Sequence, residues 1–180
     1  MKKVFLFLSL IAVTGSVMAQ KLTTTSAVIT FDATTPKDAL TKATNNAVIA
    51  SLDKTSGVVM FEAAVNNFAF SNPTMQTHFN SDNWMKSATF PKFTFSGNIT
   101  KPKEIKYNKN GRYAVKVSGN LTIRDVTKPV TTEVLFIVKD GVATASTSFT
   151  IKLSDFNISG QPVEAGKVAK QPKISVSATF

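Results

Sequence analysis

Run after run of this chain alternates apolar and polar side chains with a period of two. Phe93, Phe95 and Ile99 alternate with Thr94, Ser96 and Asn98. Tyr113, Val115, Val117, Leu121 and Ile123 share one face, interrupted by Gly119, while Lys116, Ser118, Asn120, Thr122 and Arg124 share the other. Phe149, Ile151 and Leu153 repeat the pattern, and the chain closes on Ile174, Val176, Ala178 and Phe180 against Lys173, Ser175, Ser177 and Thr179. A strand written this way has one face for a core and one for water, as antiparallel sheets require.

Turn chemistry points the same way. Asn110-Gly111 and Asp140-Gly141 both join alternating runs, and such pairs accept the positive φ angles of tight hairpins. The pattern predicts strands over 23–32, 47–53, 57–65, 92–100, 104–108, 112–123, 130–139 and 142–152, with 174–180 as a closing candidate. Two short helices are expected. Thr35-Pro36-Lys37-Asp38 and Asn72-Pro73-Thr74-Met75 each place a capping side chain before a proline in the first turn. The second would bring Met75, His78 and Phe79 to one side. Residues 155–172 are the longest stretch without a period. An antiparallel meander must hide its edges, so the expected fold is all-β, an up-and-down barrel of about eight strands with two short helices. Eight strands leave an interior that side chains can fill or that can hold one small ligand.

The N-terminus reads differently. Met1-Lys2-Lys3 is basic, residues 4–13 are apolar, and Val17-Met18-Ala19 has the small residues of a cleavage site, the layout of a secretory signal peptide. The expected organisation is a leader over 1–19 and one domain over 20–180, exported to the periplasm or beyond after cleavage near Ala19-Gln20. The sequence has no cysteine, which excludes disulfides. The formal net charge of +10 includes Lys2 and Lys3, and the remaining lysines are scattered singly along strands and turns. Nucleic-acid readers cluster such charges, so no nucleic-acid partner is expected; a weak contact with an anionic membrane surface stays open.

Catalytic chemistry is sparse. His78 is the only histidine. As a general base it would need a hydroxyl beside it and an acid behind it, and Ser81 and Asp82 lie close in sequence. The acids are spread over separate elements, so neither a carboxylate pair nor a metal site is expected, and no cofactor. What remains is aromatic mass: 14 phenylalanines, all but Phe5 and Phe7 beyond the leader, crowd most densely between Phe61 and Phe95. That mass fits an ordinary filled core, or a lining for a long hydrocarbon.

Longer strings narrow the choice. Phe90-Pro91-Lys92-Phe93-Thr94-Phe95-Ser96-Gly97 and Gly119-Asn120-Leu121-Thr122-Ile123-Arg124-Asp125-Val126-Thr127-Lys128-Pro129-Val130 resemble the YceI-like family. So do Gly57-Val58-Val59-Met60-Phe61, Phe68-Ala69-Phe70, Met75-Gln76-Thr77-His78-Phe79 and Asp155-Phe156-Asn157-Ile158. Two positions depart: the first strand lacks an aromatic opening with Trp, and Asp125 stands where a glycine is common. The resemblance implies a lipocalin-like barrel with a deep apolar pocket that holds a polyisoprenoid or other long-chain lipid. By position Phe93 and Phe95 would face the pocket, with Met75, His78 and Phe79 on a helix near its mouth. The full expected lining is Phe61, Met75, His78, Phe79, Trp84, Phe93, Phe95, Val117, Phe136 and Phe149. The leading expectation is an exported, non-enzymatic carrier, monomer or homodimer; the alternative is an envelope module with a filled barrel core.

Overall fold

The computed structural model of the protein describes residues 21–180; the expected leader lies outside the described residues. Its organising element is the hairpin of β6 (Gly111–Ile123) and β7 (Val126–Lys139), paired from Gly111–Val138 to Ile123–Val126. The turn between them is Arg124-Asp125, where Arg124 takes φ 58°, in the left-handed region that glycine enters more cheaply. Along β6 the alternation holds: Val115, Val117 and Ile123 are buried while Lys116, Ser118 and Asn120 face water.

Seven further strands complete the sheet: β1 (Lys21–Asp32), β2 (Lys42–Asp53), β3 (Val58–Ala64), the two-residue β4 (Ala69–Phe70), β5 (Lys92–Ile99), β8 (Val142–Thr150) and β9 (Lys173–Thr179). The spatial order is β1-β9-β8-β7-β6-β5-β3-β2, and β2 returns to β1 along almost the full length of both. This is a closed antiparallel eight-stranded barrel, with β4 added beside the start of β2. Closure leaves none of the eight strands as a free edge over its whole length. No helix among the described residues is long and apolar enough to cross a membrane.

The expected hairpin at Asp140-Gly141 forms, with φ of 51° and 82°. The one at Asn110-Gly111 does not. Residues 104–108 are no strand; after a 3-10 turn at Pro102–Glu104 they cross the barrel end, burying Ile105 and half of Tyr107. Asn110 instead locks the neighbouring turn: its amide donates to the Asp140 carboxylate (3.1 Å) and its carbonyl accepts from the Asp140 N–H (2.8 Å). Residues 173–179 therefore supply the eighth barrel strand that 104–108 do not.

The expected helix at Thr35-Pro36-Lys37-Asp38 is a turn, closed by reciprocal backbone bonds between Thr35 and Asp38. No apolar period follows it to hold a helix against the core, and the chain re-enters the sheet at Lys42. The helix at residue 73 forms as α1 (Pro73–Asn80): Asn72 Oδ1 accepts from the N–H of Thr74 (2.8 Å) and of Met75 (3.4 Å). The second helix lies inside the aperiodic stretch, as the single turn α2 (Gln161–Glu164). Strands β2 and β7 begin earlier than the hydropathy suggests. In β2 the reason is Asn45, which is fully buried, donates to the Ala64 carbonyl (2.9 Å) and accepts from the Ala47 N–H (3.0 Å). A polar residue satisfied this way costs little to bury.

Where β5 crosses β6, Gly97 pairs with Gly119. A Cβ on Gly97 would sit 2.6 Å from the Ser118 carbonyl oxygen, and a Cβ on either glycine would sit 2.7 Å from Phe95 Cζ. The Phe95 ring therefore lies back over bare backbone. Gly119→Ala should destabilise the protein by about 1–3 kcal/mol, read as a lower denaturant midpoint with unchanged slope. An unshifted midpoint would mean that the close approach does not matter.

Candidate functional site

The barrel interior is not filled. Two apolar clusters occupy its ends. One includes Leu52, Val59, Ile99, Ile105, Val115 and Val138, and closes the floor; the other includes Phe68, Phe79, Met85, Leu153, Phe156 and Val168 at the opposite end, the mouth. Between them runs a cavity of about 150 Å³, lined by residues of every barrel strand. One water needs roughly 10–15 Å³ by the same measure, and apolar cavities near 150 Å³ stay dry and accept apolar guests.

Seven of the ten residues expected to line a pocket do so: Phe61, Phe79, Phe93, Phe95, Val117, Phe136 and Phe149. Met75, His78 and Trp84 do not. They line a second, more open cavity of about 450 Å³ above the mouth, between α1 and residues 162–168. Phe31 and Phe79 belong to both spaces, their ring centroids 6.1 Å apart. Phe79 is the hub of this partition, with Phe70 at 5.0 Å and Phe68 at 5.9 Å, tilted as aromatic pairs prefer. It is held there by its helix. Gln76 Oε1 accepts from the Phe70 N–H (3.1 Å), tying α1 to β4, and the Phe79 carbonyl accepts from the Met85 N–H (3.1 Å).

The lining carries no ionisable side chain, and its few hydroxyls include an internally satisfied pair. The β7–β8 ladder stops at the Leu135–Ser146 pair. At that fork the Thr147 hydroxyl donates to the Glu133 carbonyl (2.6 Å) and lies 2.8 Å from the Thr132 hydroxyl. Beyond it β7 has a neighbour on one side only, which accommodates Pro129 in the strand. The 3-10 turn Leu153–Phe156 packs on β7 there, and Arg124 Nη1 donates to the Asn157 carbonyl (3.4 Å).

His78 is exposed, and the Ser81 hydroxyl donates to its backbone carbonyl (2.7 Å), not to the imidazole. No hydroxyl–imidazole–carboxylate relay exists around it among the described residues, nor does any group of three or more potential metal ligands. The carboxylates held below their usual range end strands: a hydrogen bond from the Thr34 hydroxyl (2.7 Å) lowers Asp32 at the end of β1, and the backbone N–H groups of Ser56 and Thr55 lower Asp53 at the end of β2.

Lining residues that the sequence reading left out include Ile29, Phe31, Leu121, Ile123, Ile174, Val176 and Phe180. Their signal was available, since each sits on the apolar side of an alternating strand. Met85 and Ile158 come from irregular segments, where no period marks them.

The match to the model of the YceI-like domain covers residues 9–180. The chain belongs to the YceI-like family. Solved structures with this family's barrel agree in fold at low identity. The polyisoprenoid-binding domain from Saccharophagus degradans, implicated in plant cell wall breakdown, is 11% identical with a TM-score of 0.75, over 90% of this chain and 98% of that one. BcnA of Burkholderia cenocepacia is 19% identical with a TM-score of 0.70, over 86% and 96%. The Campylobacter jejuni YceI protein is 19% identical with a TM-score of 0.53, over 100% and 99%. No curated protein matches the chain.

At the floor of this YceI-like barrel, Tyr107 stacks edge-on against Phe136 (6.4 Å) beneath the Lys54 ammonium (6.0 Å), and its buried hydroxyl has no hydrogen-bond partner among the described residues. Burial pushes its pKa up from 10.0 to about 12. The folded state thus favours the neutral phenol: this contribution is complete below pH 10 and is lost as pH rises toward 12. Tyr107→Phe should flatten the fall in the thermal midpoint across that window; an unchanged slope would place the loss elsewhere.

Proposed function

We propose that the protein sequesters one long-chain apolar ligand, of polyisoprenoid or fatty-acyl type, inside the barrel. The observation that carries this reading is the cavity in the barrel interior, whose walls are apolar but for the hydroxyls of Thr132, Ser146 and Thr147 and carry no ionisable group. Each methylene moved from water into such walls contributes roughly 0.8 kcal/mol. About five or six buried methylenes already outweigh association costs that start near 4 kcal/mol, and a longer chain extends from this cavity of about 150 Å³ toward the mouth. Chain length, not a charged anchor, supplies most of the affinity.

Two further points support the reading. The Saccharophagus degradans domain of like fold is described as polyisoprenoid-binding. The basic and apolar opening of the chain, Met1 through Ala19, suits export, so the place of action in this proposal is the periplasm or beyond. An amphiphile held there would be shielded from water between membranes, as transport or storage requires. The empty space between the two clusters counts against a barrel filled solely by its own side chains.

Organic extraction of the purified protein should release a lipid identifiable by mass spectrometry, and delipidated protein should take up a fluorescent long-chain lipid. Phe95→Asp should abolish uptake with the far-ultraviolet spectrum of the strands retained. Leu121→Trp, which fills the cavity without charge, should abolish it as well. An empty extract together with no uptake by the unmodified protein contradicts the proposal.

A further inference from the structure

The cavity above the mouth has a different chemistry from the barrel. Its apolar walls, among them Phe70, Met75 and Trp84, are interrupted by Asp38, His78, Asn83 and Lys167. The Asp38 carboxylate is partly engaged, since its Oδ1 accepts from the Leu40 N–H at 2.8 Å. Among the described residues the side chains of His78, Asn83 and Lys167 have no hydrogen-bonding or ionic partner, so donors outnumber free acceptors here. Lys37, next to Asp38, adds a second cation at the rim; its ammonium donates to the Ala165 carbonyl at 2.9 Å, beside the loop that carries Lys167.

An amphiphile in the barrel has one place for its polar end. The tunnel walls carry no ionisable group and the floor is closed by Ile105 and Tyr107. The β7–β8 fork is tied by Thr132, Thr147 and Glu133 and packed by the turn that follows β8. The remaining boundary is the packed pair Phe31 and Phe79, 6.1 Å apart and common to both cavities, so a chain that leaves the barrel here displaces one of these rings and reaches the cavity that Lys167 lines. A polar head left inside the tunnel would be unpaired, a cost that a seat outside avoids.

We infer that this upper cavity seats the anionic head, a carboxylate or a phosphate monoester, of the same ligand whose tail fills the barrel. Lys167 is its counter-ion, and Asn83 and His78 supply further hydrogen bonds. The inference rests on the sequestration reading and adds the ligand's charge and its orientation, tail toward Tyr107 and head toward α1. Asp38 opposes added negative charge, so a carboxylate fits better than a phosphate monoester, and either fits better than a diphosphate.

Four sixteen-carbon probes test it on the delipidated full domain by displacement of a fluorescent lipid: hexadecanol, palmitate, hexadecyl phosphate and hexadecyltrimethylammonium. Palmitate and hexadecyl phosphate should bind about tenfold tighter than hexadecanol, as a charge-assisted contact implies, and the ammonium should bind weakest. The comparison of the two anions distinguishes a carboxylate head from a phosphate head. Lys167→Met should erase the anionic advantage and leave hexadecanol unchanged, while Lys170→Met should alter nothing. A flat ranking in the unmodified protein, or an equal loss for all four probes in Lys167→Met, overturns the head-group seat while sequestration stands. If no probe is taken up, the alcohol included, both readings fall.

Discussion

The Phe95 ring rests on a stretch of wall that has no side chains. Gly97 and Gly119, paired across β5 and β6, remove the two Cβ atoms that would otherwise hold the ring off the backbone and push it toward the barrel axis. This is the constraint on which the interior depends. Rings lie along the wall, the two apolar clusters stay at the ends, and the space between them remains open. Glycine in a strand interior is unfavourable by propensity, so its use at both positions of a pair marks a place where close backbone approach matters more than local preference.

The barrel was legible because its inner face obeys a period of two almost without exception. Val115, Val117 and Ile123 on β6, and Val134, Phe136 and Val138 on β7, are buried at each alternate step. The places where the reading went astray are those where a hydrogen bond overrules hydropathy. Asn45 looks like a loop residue and is the most thoroughly buried polar side chain, because the Ala64 carbonyl and the Ala47 N–H satisfy it. Asn110-Gly111 has hairpin chemistry, yet Asn110 serves the turn at Asp140 and the segment before it closes the floor. Thr35-Pro36 has helix-start chemistry with nothing amphipathic behind it.

For the site, the aromatic positions Phe61, Phe93, Phe95 and Phe149 could be placed from strand alternation and family resemblance together. What no pattern disclosed was the division of space at Phe31 and Phe79. Sequence proximity grouped Met75, His78, Phe79 and Trp84 as one lining, whereas only Phe79 reaches the barrel interior and the other three belong to the cavity above it. That division follows from the angle at which α1 crosses the mouth. The helix is held there by Asn72 at its N-cap and by Gln76, whose side chain accepts from the Phe70 N–H of β4, contacts distant from any hydrophobic pattern.

In the proposed sequestration, burial of hydrocarbon in the barrel provides the binding free energy. Calorimetric titration with a homologous series of straight-chain alcohols measures that most directly. The dissociation constant should fall about fourfold per added methylene, the equivalent of roughly 0.8 kcal/mol each. The fall should level off once the cavity is full, and binding should carry a negative heat-capacity change. An affinity indifferent to chain length would contradict it.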